Sequence, residues 1–106
     1  MPSRRESLLK FLEQDPSDSF TRYAIALEFI SEGNTFEGER YLRQTIERDE
    51  EYIPAYHQLG QLYAREERND EAIKAYTDGI AAAIRQGDAH ARSEMQQELD
   101  ELKENM

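Results

Sequence analysis

The sequence predicts an all-α fold of antiparallel helix pairs, about six helices in all, and three observations carry that reading. Apolar residues recur at helical spacing in Tyr56, Leu59, Gly60 and Tyr63, and again in Ala72, Tyr76 and Ile80. The same size classes return after a step of 34 residues. Polar breaks separate the runs, with Gly33-Asn34 in the first half and Glu66-Glu67-Arg68-Asn69-Asp70 in the second.

The clearest stretch is Tyr56–Ile80. Offsets of three, four and seven place Tyr56, Leu59, Gly60 and Tyr63 on one helical face. A glycine inside a helix costs about 1 kcal/mol relative to alanine. Gly60 therefore predicts a close crossing, with the small Ala72 of a second helix as its partner. Asn69 or Asp70 is placed to cap that second helix.

This stretch resembles the tetratricopeptide repeat, whose pattern is W-x2-L-G-x2-Y followed by A-x3-F. Tyr56 and Tyr76 stand in the Trp and Phe places, and the match spans two helices. The resemblance is to a small bacterial-type member of that family. It implies that the helix pairs nest into a right-handed superhelical stack.

Taken in order, residues 3–14 read as the second helix of a repeat, with Leu8, Phe11 and Leu12 in register with Leu42, Thr45 and Ile46. Asp15-Pro16 ends that helix, because the residue before proline is pushed out of helical geometry. Ser17 or Asp18 caps the next one.

Residues 17–49 form a first full repeat. Arg22, Ile25, Ala26 and Phe29 answer to Tyr56, Leu59, Gly60 and Tyr63, with Arg22 the one departure from size class. Ala26 against Gly38 repeats Gly60 against Ala72 with the small residues exchanged. Residues 53–86 form the second repeat, with Pro54 in a first helical turn where its missing N–H does no harm. Cutting Tyr63 or Phe29 back to alanine is expected to cost about 3–5 kcal/mol.

Beyond Gln86-Gly87-Asp88 the period fails. Ala91, Met95, Leu99, Leu102 and Met106 instead form one narrow apolar stripe on a polar helix over residues 88–104. It is expected to cap the array over the Ile80–Ile84 end of the preceding helix. The whole, 1–106, reads as a single domain.

The formal net charge of −10 repels phosphate backbones, so nucleic acid is not an expected partner. Such acidity favours encounter with basic partners, although solubility alone accounts for it. No cysteine is present, which fits a reducing, cytoplasmic setting. No stretch reads as a membrane span or signal peptide.

Chemistry is sparsely provided. His57 and His90 lie about one repeat apart, but a zinc site needs three or four ligands and nothing supplies the rest. Carboxylate runs such as Asp49-Glu50-Glu51, Glu66-Glu67 and Glu98 to Glu101 fall on polar faces or turns and read as solvated charge. No calcium loop, phosphate-cradling glycine run or nucleophile motif occurs. The expectation is a protein without enzymatic activity, metal or cofactor.

Surface remains. The resemblance implies that the first helix of each pair lines a concave side that docks a peptide segment or partner subunit. Phe20, Tyr23, Leu27 and Ile30 fall there in the first repeat, and His57, Gln61, Ala64 and Arg65 in the second. One family variant grips a partner's terminal carboxylate with lysine and asparagine. Tyr23 and Leu27 stand in those places, so that mode is not expected. Two alternatives stay open: the first helix covers this face with Leu8, Leu9, Phe11 and Leu12, or a second copy of the chain does.

Overall fold

The computed structural model describes residues 2–106. It holds six helices and, among those residues, no strand: α1 (Arg4–Gln14), α2 (Ser19–Ser31), α3 (Thr35–Arg48), α4 (Ile53–Arg65), α5 (Asn69–Gln86) and α6 (Ala89–Glu104). None of these is long and apolar enough to cross a membrane. The chain divides into two compact units, Met1–Asp49 and Glu50–Met106.

In the first unit, α1 begins at Ser3, whose hydroxyl accepts the Glu6 N–H at 3.1 Å. Asp18, one of the two expected caps, starts α2 and accepts the Thr21 hydroxyl at 2.6 Å. Asn34 caps α3 through the Glu37 N–H. α1 runs antiparallel to α2, with Arg4 on Glu28 at 2.7 Å, Arg5 on Glu32, and the Arg5 guanidinium 4.7 Å over the Phe29 ring. α2 and α3 cross where a side chain at Gly38 would strike Ile30 and come within 3.3 Å of the Ala26 carbonyl. The Ser19 hydroxyl closes the far end by donating to Asp49 at 2.7 Å.

The second unit repeats this hairpin with different materials. Here α4 and α5 cross at Gly60, and the atoms nearest its missing side chain belong to Tyr76. The Tyr76 ring, one turn beyond Ala72, lies 2.7–2.8 Å from where a Gly60 Cβ would sit. A flat ring laid across the crossing demands the missing side chain as firmly as a backbone would. The capping expectation fails, since neither Asn69 nor Asp70 caps α5. Arg68 occupies the cap with no side-chain cap bond. Its guanidinium instead bridges Glu71 at 2.7 Å and Glu66 at 3.2 Å, and lies 4.5 Å over the Tyr63 ring.

α6 returns antiparallel to α5, burying Met95 and Leu99. Met95 fits into the space left by Gly79, whose Cβ would fall 2.7 Å from the Met95 sulfur. α6 reaches Gly79 and Tyr76, while Ile84, expected beneath the cap, stays 55% exposed. Met106 ends the stripe exposed, beyond the last helical turn.

Two local bonds repeat in the same register in both units. The chain leaves α2 through Gly33 (φ 84°) with the Asn34 N–H on the Phe29 carbonyl at 2.9 Å. It leaves α4 through Glu67 (φ 59°) with the Arg68 N–H on the Tyr63 carbonyl at 2.9 Å. Glu67 carries a side chain where the left-handed turn suits glycine. Glu67→Gly is expected to stabilise by about 0.5–1 kcal/mol, the strain relieved exceeding glycine's extra entropy loss. The thermal midpoint should rise by a few degrees; a fall would place no strain at Glu67.

The second shared bond explains Arg22. Its Nη2 donates to the Pro16 carbonyl at 2.8 Å, just as the Tyr56 hydroxyl donates to the Glu50 carbonyl at 2.7 Å. Each side chain ties its helix to the loop before it.

Candidate functional site

His57 and Gln61 stand one turn apart on α4 and Tyr76 lies on α5, so the hairpin brings three polar groups together. All three meet one carboxylate from α6. Glu98 Oε2 accepts from His57 Nε2 at 2.6 Å, and Oε1 accepts from Gln61 Nε2 and the Tyr76 hydroxyl, both at 3.0 Å. The Gln61 and His57 nitrogens lie 3.3 Å apart as two donors to different oxygens of the same carboxylate. The His57 ring meets Tyr76 edge-on, with centroids 6.4 Å apart.

Burial alone would raise the Glu98 pKa; the bonds from Gln61, His57 and Tyr76 outweigh it and hold the carboxyl below its usual range. Burial, then the bond to Glu98 and its charge, push the Tyr76 phenol far above its ordinary value of 10.0. A phenol so shifted stabilises the fold below that value and loses this contribution as pH rises past it. Stability should therefore fall above pH 10, and Tyr76→Phe should flatten the fall in an alkaline melt series. An equally steep fall in the variant would assign it to other tyrosines.

Beside this network an open cleft of about 480 Å³ lies between the C-terminal halves of α4 and α6. Gln61, Ala64 and Arg65 form one wall, Glu98, Glu101 and Leu102 the other, and Tyr76 contributes from α5.

The residues expected to face a partner fare unequally. Phe20 is 62% exposed, while Tyr23 and Leu27 are half-buried. Ile30 packs toward α3 at Gly38. α1 makes its ion pairs and ring contact with Glu28, Phe29 and Glu32, on a different side of α2 from Phe20, Tyr23, Leu27 and Ile30; its own Phe11 is 61% exposed. In the second unit His57 and Gln61 are held by Glu98, and Arg65 is exposed on the cleft. His90 pairs with Glu94 at 2.9 Å, not with His57.

Glu98 is the residue that sequence reasoning missed, since it reads as solvated charge yet is a half-buried acceptor for three side chains. It lies 41 residues from His57, and no short motif links them.

No family model and no curated protein matches the chain. Solved structures do. A tetratricopeptide repeat domain protein from Salinibacter ruber, determined in solution, is 36% identical, with a TM-score of 0.79 over 83% of this chain and 89% of that one. A crystal structure of a tetratricopeptide repeat domain protein from the same organism is 35% identical, with a TM-score of 0.77 over 81% of this chain and 97% of that one. A protein from Bordetella parapertussis shares the fold, with a TM-score of 0.83 at 24% identity over 99% of this chain and 91% of that one.

Proposed function

Because this chain belongs to the tetratricopeptide repeat family, we propose that it is a non-enzymatic interaction module that docks a peptide segment or partner subunit on the faces of α2 and α4. In the first unit Phe20, Tyr23 and Leu27 provide that face, with Ile30 at its edge. In the second His57, Gln61 and Arg65 provide it.

The observation that carries the reading is Phe20, an aromatic 62% exposed on a helix whose other large side chains are at least half-buried. Aromatic anchors of this kind supply much of the energy at protein interfaces. Phe20→Ser leaves the core untouched and removes the anchor. Parent and variant baits, compared in pull-downs from the source cell, should differ in the partner retained; identical partners would remove Phe20 from the interface. Light scattering across a dilution series distinguishes the alternative, self-association through the same face. A species that grows with concentration in the parent and not in the variant would favour it.

A further inference from the structure

We propose that the cleft between α4 and α6 receives a lysine or arginine side chain presented by a segment of a partner protein. The inference rests on the docking reading above and gives the second unit its ligand chemistry.

Two carboxylates line the cleft without a lysine or arginine counter-ion among the described residues. Glu98 is met by three donors, of which only His57 can carry charge. Glu101 accepts from the neutral Gln97 amide at 3.3 Å. The donors hold the Glu98 carboxylate in place before any ligand arrives, so a cation pays little reorganisation. The surrounding unit carries thirteen acidic residues against six basic ones, which draws cations toward the opening.

Shape narrows the choice. From Glu98 to Asn105 the α6 wall runs about 10 Å, enough for a few residues of extended chain. Ala64 and Leu102 give apolar surface for the methylene stem of a basic side chain, whose head then reaches the carboxylates. Gln61 and Asn105 add side-chain amides to the lining, which suit a peptide backbone more than a bare polyamine. A carboxylate or phosphate would meet Glu98 and Glu101 head on. A metal ion is not favoured, as no group of three His, Cys, Asp or Glu among the described residues is disposed to hold one. Arg65 stands exposed on the cleft, and its charge disfavours a run of basic residues and selects a single one.

The test is an amide NMR titration of the full chain with the peptide acetyl-Ala-Leu-Lys-Leu-Ala-amide and its Lys→Gln counterpart. The lysine peptide should shift Gln61, Ala64, Glu98, Glu101 and Leu102, and the glutamine peptide should bind about tenfold more weakly. Glu101→Gln, on an exposed side chain that holds no part of the core, should weaken the lysine peptide about threefold while leaving the melt unchanged. Equal binding of the two peptides, shifts scattered over every acidic surface, or no loss in Glu101→Gln would each overturn the proposal. Shifts confined to Phe20, Tyr23 and Leu27 would overturn the cleft assignment and leave the docking reading standing. No shift at either face with either peptide would count against both.

Discussion

Tyr63→Ala should lower stability by about 3–5 kcal/mol, the largest single loss expected in the chain. The ring is only 5% exposed, carries the Arg68 guanidinium 4.5 Å above it, and sits where the chain turns out of α4. Its removal opens a cavity and strands Arg68, the cap residue of α5, over empty space. A small domain holds about 5–15 kcal/mol in total. The midpoint should therefore drop by well over ten degrees in a thermal melt, and an unchanged one would put Tyr63 outside the core. Phe29, its counterpart in the first unit, is half-buried and stacked on Tyr41 at 5.5 Å. Its truncation should cost less than Tyr63→Ala, which revises the equal penalties that the spacing alone predicts.

Arg22→Tyr and Thr45→Gly are expected to rescue one another. Arg22 is buried, and its Nε and Nη1 have no hydrogen-bond partner among the described residues, at about 1–3 kcal/mol for each donor left unmet. Burial first, and then the neighbouring Arg48, pull its pKa below the ordinary value. A tyrosine makes the same loop bond in the second unit without that cost. The reason lies across the hairpin. A side chain at Gly79 would fall 2.7 Å from the Tyr56 Cβ, so that place is kept open for the ring. The register puts the fully buried Thr45 in the place of Gly79, and a slim arginine stem passes where a ring would crowd. Arg22→Tyr alone should trade relief of the unmet donors against overpacking. Thr45→Gly alone should lose helix propensity and packing. Together they should recover about 1–3 kcal/mol relative to the sum of the single effects. A cycle that adds within about 0.5 kcal/mol would separate the two positions.

What could be read in advance was what is local. Stops and turns are written in adjacent residues, so Gly33, Gly87 and the Asp15-Pro16 break mark their helix ends. The helical period likewise places Ile25, Leu42 and Leu59 in the core from spacing alone. Contacts across the hairpin were less legible. Spacing points to a small residue opposite Gly60 and gives no sign that the large Tyr76 ring lies nearest to it. Arg22 looked like a lapse in the repeat, and only the carbonyl it grips shows that the role persisted while the residue type changed. The Glu98 network was illegible for a further reason. It joins three helices, and the step of 34 that relates α2 to α4 gives no register for α6. The spacing puts His57 and Gln61 on one helix and gives no hint that the chain supplies their first acceptor itself.

The most direct measurement of the site is a carbon-13 NMR titration of the Glu98 side-chain carboxyl in the intact chain. With Gln61, His57 and Tyr76 all donating to it, the midpoint should fall below the ordinary glutamate value of 4.5, leaving a fixed negative charge at the cleft through the neutral range. Stability held by this group is present above that value and is lost as pH drops through the depressed one. A midpoint above 4.5 would contradict the account, because the carboxyl would then be governed by burial rather than by its three donors.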